Sequence, residues 1–514
     1  MNTSSDRRLL SHARSILAGS PQKTRDAGYT VYVAVLVVAM VAVPVVRSIV
    51  LGLASPDILA TIEASDSYRS VGVMAAVLAA GALLIARTRG PVITSPFLTE
   101  FLARSPLARS DTLRRPFLIS FTGLALVAVT VSGIVVGARF LGGPTAALPA
   151  ALFVLGSIAY SGVLAVVWLI GQSCGRRTTV VLAIIILASA IAIAVGVDLF
   201  MFATPWGWLA LLWESLGPDT SIAAWPTIAL ALSPVAFLAV PALLDNLHSS
   251  GLMAQARRWQ SIGTMAQTGD IAGASGVLRT PPTRGRHFEI SFTGPMPIAI
   301  LQRDMRTALR FPVRTTLGSC ALVVAGWLTA QTSTATRGVD WVVALAGVLV
   351  AYLAAGAWCD GLRNANENVG PSSMYGRSPL TMIGSHSLLP SLACLLLGSI
   401  GTVVAIADGA PIGVLSWWIL ISFFIVIVRI LDCAKGMMPI GLLLPIVTSM
   451  GDVSILNVIA WQTDALIIVL TTAGGLTVLR ANTGPEASLW LVGGMAIVAA
   501  LAIRRVRIMG GLTT

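Results

Sequence analysis

Lysine is almost missing from this chain: of its 34 basic residues only Lys23 and Lys435 are lysines, and the rest are arginine. A phosphate-cradling loop needs Gly-Lys-Ser/Thr at its end, and Lys23 follows Gln22 while Lys435 follows Ala434. The chain therefore has no ATP-hydrolysing motif of its own. Charge is scarce too, 11% of 514 residues against 56% hydrophobic, which excludes an ordinary soluble domain for most of the sequence. Histidine is limited to His12, His248, His287 and His386, and the five cysteines are Cys174, Cys320, Cys359, Cys394 and Cys433. Neither set shows metal-ligand or triad spacing, so no metal site, disulfide or catalytic constellation is expected.

What the sequence has instead is long apolar runs rich in Leu, Val, Ile and Ala. In hydrocarbon each backbone donor and acceptor must be satisfied within the segment, and runs without alternation select helices over a barrel. Windows of about twenty residues, the length that crosses about 30 Å of hydrocarbon, fall at 29–53, 71–87, 116–138, 146–171, 179–202 and 224–244. They recur at 314–332, 340–359, 387–407, 411–431, 437–459 and 487–504. The expected fold is all-α: a polytopic helical membrane protein of about 12 transmembrane helices in two pseudo-repeated six-helix halves. Its parts are a cytoplasmic amphipathic segment (1–28), a first half (29–245), a cytoplasmic linker (246–297) and a second half (298–514). The first apolar run is too long for a signal peptide and lacks a small-residue cleavage site, so it reads as a retained span.

A net charge of +12 would point to nucleic acid in a soluble protein. Here the arginines sit in short connections between apolar runs, which is the signature of topology and of contact with lipid headgroups, and no nucleic-acid partner is expected. With the N-terminus inside, 29 of the 34 basic residues fall in inward segments and 5, namely Arg47, Arg69, Arg139, Arg337 and Arg480, fall outside. That bias puts both termini in the cytoplasm of a cell-membrane protein. An even number of crossings follows, and the apolar stretch 464–480 then reads as a re-entrant or interfacial element facing outward.

Three correspondences relate the halves. Arg104-Ser105-Pro106-Leu107 and Arg377-Ser378-Pro379-Leu380 occupy the same loop, between second and third spans. Each half opens on an amphipathic inner-leaflet helix. In the second half Ile298, Leu301, Met305 and Leu309 face one way and Arg303, Arg306 and Arg310 the other; in the first, Leu9, Ala13, Ile16 and Leu17 oppose Arg7 and Arg14. Before each sixth span lies an apolar outer segment too short to cross twice. The first carries Trp206, Trp208 and Trp213 and the second Trp461, either anchoring at headgroup level or lining the mouth of a pathway.

Ion-coupled carriers keep ionisable groups in mid-membrane. Arg47, Asp198, Asp360 and Arg429 fall near span ends, and Asp452 is the one acid expected deeper. Membrane glycosyltransferases using polyprenyl-phosphate sugars place an acid in the first outer loop, where this chain has Asp57, Glu63 and Asp66. Both readings stay open as alternatives.

The plan of six spans behind an amphipathic helix, with a helical loop after the second span and a re-entrant element before the sixth, resembles the type-2 ABC exporter permeases. The resemblance covers essentially the whole chain as two fused halves. Arg303-Asp304-Met305-Arg306 with Arg310-Phe311-Pro312, and Leu102 to Arg115 around Ser105-Pro106, are similar to segments of actinobacterial permeases of this sort. It implies that the loops near 91–115 and 361–385 are coupling helices touching two separate ATP-binding subunits. The bound ATP and Mg would belong to those partners, and this chain would hold no cofactor. Arg104, Ser105, Pro106, Leu107, Arg377, Ser378, Pro379 and Leu380 would be the coupling positions, and Trp206, Trp208 and Asp452 pathway positions. The second loop, with Asn364, Asn366, Glu367 and Asn368, is far less basic than the first, which puts equal use of the two ATP sites in question. The topology itself is directly testable: a periplasmic-active reporter fused after Thr514 is expected to be inactive and a fluorescent protein fused there to fold, and the opposite pattern would reverse the orientation.

Overall fold

The computed structural model describes residues 43–62, 67–104, 108–143, 145–217, 225–228, 233–267, 276–277, 294–335, 340–367, 376–436, 439–443, 447–448, 451–452 and 454–509. The chain is a polytopic all-helical protein that divides into two compact units, Met1–Thr264 and Met265–Thr514. Among the described residues nine helices are long and apolar enough to cross a membrane, or eleven if each of two bent pairs is one span.

The first unit contains α1 (Val43–Leu53), α2 (Pro56–Ile62), α3 (Ser67–Ile85), α4 (Pro96–Arg104), α5 (Arg109–Gly142), α6 (Ala147–Ser173), α7 (Arg176–Ala194), α8 (Asp198–Ala203), α9 (Pro205–Glu214), α10 (Val240–Asp245) and α11 (Ser249–Gln267). A 3-10 turn at Ser233–Ala239 leads into α10. The sequence expects a span over 224–244; among its described residues 225–228 are helical and Val235–Asp245 forms, with Ser249–Met265, a pair bent by 93° that is long and apolar enough only when taken together. Residues 1–28 and most of the first apolar window lie outside the described residues.

The second unit contains α12 (Met296–Leu309), α13 (Pro312–Gln331), α14 (Asp340–Ala355), α15 (Asp360–Glu367), α16 (Pro379–Ala407), α17 (Val414–Cys433), α18 (Ser454–Ile468), α19 (Gly475–Thr483) and α20 (Ala487–Met509). A π-helical segment, Val469–Gly474, joins α18 to α19, so Asn457–Thr483 forms one helical run long enough to cross. This corrects two expectations. The described residues of the window 437–459 before Ser454 form a 3-10 turn at Ile440–Leu443 and a two-residue antiparallel pair of Val447–Thr448 with Gly451–Asp452, not a helix long enough to cross. The stretch 464–480, read as re-entrant, lies within the helix that takes its place. Glycine and proline explain the shift: Gly436, Pro439, Gly441, Pro445 and Gly451 punctuate the earlier window, and the later one has none before Gly474.

Among the described residues the two units share several neighbour pairs. First span meets third (α1 with α5, α13 with α16), second meets fourth (α3 with α6, α14 with α17), and second meets fifth (α3 with α7, α14 with the π segment and α19). Third meets fourth, and fourth meets sixth, in each. Among the described residues the units also differ: first and second spans pack closely in the second unit (α13 with α14) and not in the first, and fifth meets sixth in the second unit alone.

Lipid gives helices no hydrophobic reason to associate, so close backbone approach through small residues takes over. In the second unit α13 and α16 cross where a Cβ on Gly326 would strike the Gly398 carbonyl and one on Gly401 would strike that of Val323. Gly384, on the same α16, faces open space. Gly401→Ala is expected to lower the melting temperature of the purified protein by costing about 1–3 kcal/mol. Gly384→Ala is expected to leave it unchanged or raise it slightly; equal effects at the two positions would rule out a tight crossing.

Candidate functional site

The charged residues of the second unit gather where α13, α16 and α18 begin and α14, α17 and α20 end, a grouping the helix directions impose. Tyr352 of α14 donates its hydroxyl to Asp432 of α17 at 3.0 Å, and the Arg429 guanidinium stacks on the Tyr352 ring 3.6 Å from its centre. Arg429 also donates through Nε to the Tyr352 carbonyl at 3.1 Å and pairs with Asp432 at 3.5 Å. Lys435 reaches the other Asp432 oxygen at 2.9 Å and also pairs with Asp464 of α18. Asp464 in turn accepts from Arg505 of α20 at 3.2 Å, and Arg505 donates to the Leu431 carbonyl and lies over Trp461. Five charges alternating in sign thus tie the second, fourth, fifth and sixth spans at one end. Buried charges demand such pairing, and Arg429 is only 6% exposed; it does not snorkel to water as its position near a span end suggests.

Beside this chain of charges lies a second cluster. Asp304, in the middle of the amphipathic α12, is hydrogen-bonded to His386 Nδ1 of α16 at 2.6 Å, with both side chains at most 5% exposed. The backbone of α15 closes over them at Gly361, whose missing side chain makes room for the Asp304 carboxylate. Arg314 of α13 pairs with Asp360 at 2.5 Å and donates to the Gly356 carbonyl at 2.6 Å, pinning the bend between α14 and α15. The amphipathic helix, the loop helix and the first and third spans are thereby fastened to one another through polar side chains.

Of the predicted positions in this unit, three of the four on the apolar face of α12, Ile298, Met305 and Leu309, are exposed as a lipid-facing stripe would be, while Leu301 is half-buried and packs against the bundle core. Arg303 is exposed, Arg306 and Arg310 half-buried, and a third face of Ile300, Asp304 and Ala308 turns into the bundle. Arg377 is exposed after a turn at Gly376, whose φ of +62° suits glycine alone. Ser378 caps α16 by accepting from the Thr381 backbone N–H at 3.2 Å, Pro379 takes the first helical position, and Leu380 packs beside Cys359, Leu362 and Ile383. Ser-Pro here is helix-start chemistry. Asp452 stands in the short β pair, so the expectation of an acid deep within a span is not met. Trp461, expected at the outer end, lies instead at the arginine-rich end beneath Arg505.

In the first unit Arg104 is the last residue of α4, and Ser105, Pro106 and Leu107 lie outside the described residues. The tryptophans of α9 are half-buried and packed against neighbouring helices. Trp206 joins side chains of α3, α7 and α8, Trp208 donates to the Phe202 carbonyl at 2.6 Å, and Trp213 donates to Ser67 at 3.0 Å. Ten residues long, α9 is too short to cross. The stretch expected to be linker begins with an ordered helix: Gln255 and Trp259 of α11 donate to the Ala86, Arg87 and Thr88 carbonyls at the end of the second span. Gln172 of α6 bonds both the N–H and the carbonyl of Val92, clamping the chain that enters α4.

No protein-family model matches the sequence, and no curated protein is similar to it at a significant level. Among the described residues no three His, Cys, Asp or Glu side chains group to hold a metal, and the five cysteines are free thiols. The chemistry on offer at the arginine-rich end is pairing of charges between helices. Asp304→Ala, which leaves His386 buried without its partner, is expected to cost about 3 kcal/mol and to lower the melting temperature in detergent. Arg303→Ala, at an exposed position on the same helix, is expected to stay within about 0.5 kcal/mol. An Asp304→Ala protein as stable as wild type would show that the pair does not fasten α12.

Proposed function

We propose that this chain is the permease subunit of an ATP-binding-cassette transporter, exporting a hydrophobic or amphipathic substrate. Two separate ATPase subunits supply ATP and Mg at the cytoplasmic face, and the chain itself hydrolyses nothing. The observation that carries this reading is the recurrence in each unit of a short helix, α4 or α15, between its second and third spans, together with the helix neighbours the units share. A lead-in amphipathic helix fastened to that short helix, as α12 is to α15 through Asp304 and Gly361, would pass a push from a cytoplasmic partner into the third span. The arginine bias of the sequence supports a cell-membrane location with both termini and both short helices in the cytoplasm.

A second reading, an ion-coupled carrier, draws on the buried Asp304–His386 pair and on Asp432 and Asp464, because ionisable groups held between spans commonly mark ion paths. The acids of the glycosyltransferase alternative gain no such support: Glu63 and Asp66 lie outside the described residues, as does the side chain of Asp57.

Co-expression with candidate ATP-binding subunits, followed by detergent pull-down and an ATPase assay, separates the first two readings. A stable complex is expected, with Arg104→Glu plus Arg377→Glu weakening it about tenfold or more. Failure to bind any ATPase, together with uptake or efflux that follows an imposed proton or sodium gradient, would overturn the permease reading in favour of the carrier.

A further inference from the structure

The fifth span of the second unit is fastened by charge at its arginine-rich end and interrupted by its own geometry a turn further on. Asp464 of α18 is gripped from two sides, by Lys435 beyond the end of α17 and by Arg505 of α20. The remaining charges of the cluster are Asp432 and Arg429 of α17, which hold Lys435 and Tyr352 and do not touch Asp464. Five residues after Asp464 the helix widens into the π segment Val469–Gly474. Such a segment gives up the regular i→i−4 ladder and recurs at functional sites.

Packing differs on the two sides of that break. The π segment is embedded, with Val469 and Ala473 fully buried and neighbours in α14, α17 and α20. Among the described residues helix α18 has as its main neighbours α17, the 3-10 turn at Ile440–Leu443 and the π segment itself, and its core contacts, made by Ala465, Leu466 and Ile468, are concentrated next to the break. The segment ends on Gly474-Gly475, with Gly474 against Leu345 and Gly475 facing open space. An anchored, widened turn thus separates a lightly packed arm from the rest of its span, and two ion pairs on Asp464 hold the arm down.

We propose that α18 is a latched gate: when Asp464 releases Lys435 and Arg505, Ser454–Ile468 swings about Val469–Gly474 and opens the arginine-rich end between the fourth, fifth and sixth spans. The latch belongs to the second unit alone and operates whatever drives transport, so it goes beyond the permease reading and is tested without a partner.

The test is backbone hydrogen–deuterium exchange of the full-length protein in lipid nanodiscs, comparing peptides that cover 454–468 with peptides that cover 476–483. Asp464→Asn is expected to speed exchange roughly tenfold over 454–468 and to leave 476–483 unchanged. Asp464→Glu, which keeps the charge, is expected to behave as wild type. Adding Gly475→Ala to Asp464→Asn is expected to slow the arm again by stiffening the break without a clash. Where Asp464→Asn does not accumulate as folded protein, Lys435→Met removes one grip and is expected to give a smaller acceleration confined to the same residues. Unchanged exchange over 454–468 in either variant would overturn the latch, and equal acceleration on both sides of the π segment would overturn the hinge.

Discussion

A charge cannot be left alone at the end of a helix bundle that lipid surrounds, and much of the second unit follows from how its charges are matched. Arg429, Asp432, Lys435, Asp464 and Arg505 alternate in sign; the first two links run along α17 and just past its end, and the last two cross from there to α18 and from α18 to α20. Asp464 is the member that carries both crossings, and Arg429 and Lys435 are the two whose side chains are most enclosed, where an unpaired charge is expensive. The series thereby ties the ends of α17, α18 and α20 together. Tyr352 completes it by offering Arg429 both a ring face and a carbonyl, so that a guanidinium with five donors is occupied where water is scarce.

In the first unit neutral side chains do much of the corresponding work at the end of the second span. Gln172, Gln255, Trp168 and Trp259 bond the carbonyls and N–H groups of the segment leaving its second span. Amides and indoles satisfy backbone polar groups without a desolvated charge. Charged side chains take part in the first unit as well, each with a neutral partner: Arg109 donates to the Leu247 carbonyl, Asp245 accepts from the Ser110 N–H, and Arg89 lies over the Trp259 ring. In the second unit Arg314 with Asp360, and the series from Arg429 to Arg505, pair charge with charge.

The helical membrane class was legible from the apolar runs, because length and absence of alternation suffice for it. Spacing suggested a doubling; the two units share several helix neighbours and differ in others, first with second span above all. The amphipathic helix at Ile298–Arg310 was legible on two of its faces; the third, holding Asp304, was hidden because i, i+4 spacing from Ile300 to Ala308 runs through a charged letter. His386 was seen as an isolated histidine, since its partner is 82 positions away. Lys435 stood out as one of two lysines, yet its scarcity said only what it could not do. The fifth span of the second unit was misplaced because hydropathy favours 437–459, whereas glycine and proline within that window prevent a continuous helix. Ser378-Pro379 shows the opposite limit: four matching letters in two loops looked like shared function, and at one of them the residues cap a helix.

The glycine crossing of α13 and α16 has a mechanical meaning beyond its contribution to stability. Where backbone rests on backbone, no side chain can change rotamer to absorb a shift, and sliding would drive one carbonyl ridge over another. These two spans behave as a single plank. Displacements reaching the second unit must pass around that plank, through helices whose contacts are made by side chains able to let go.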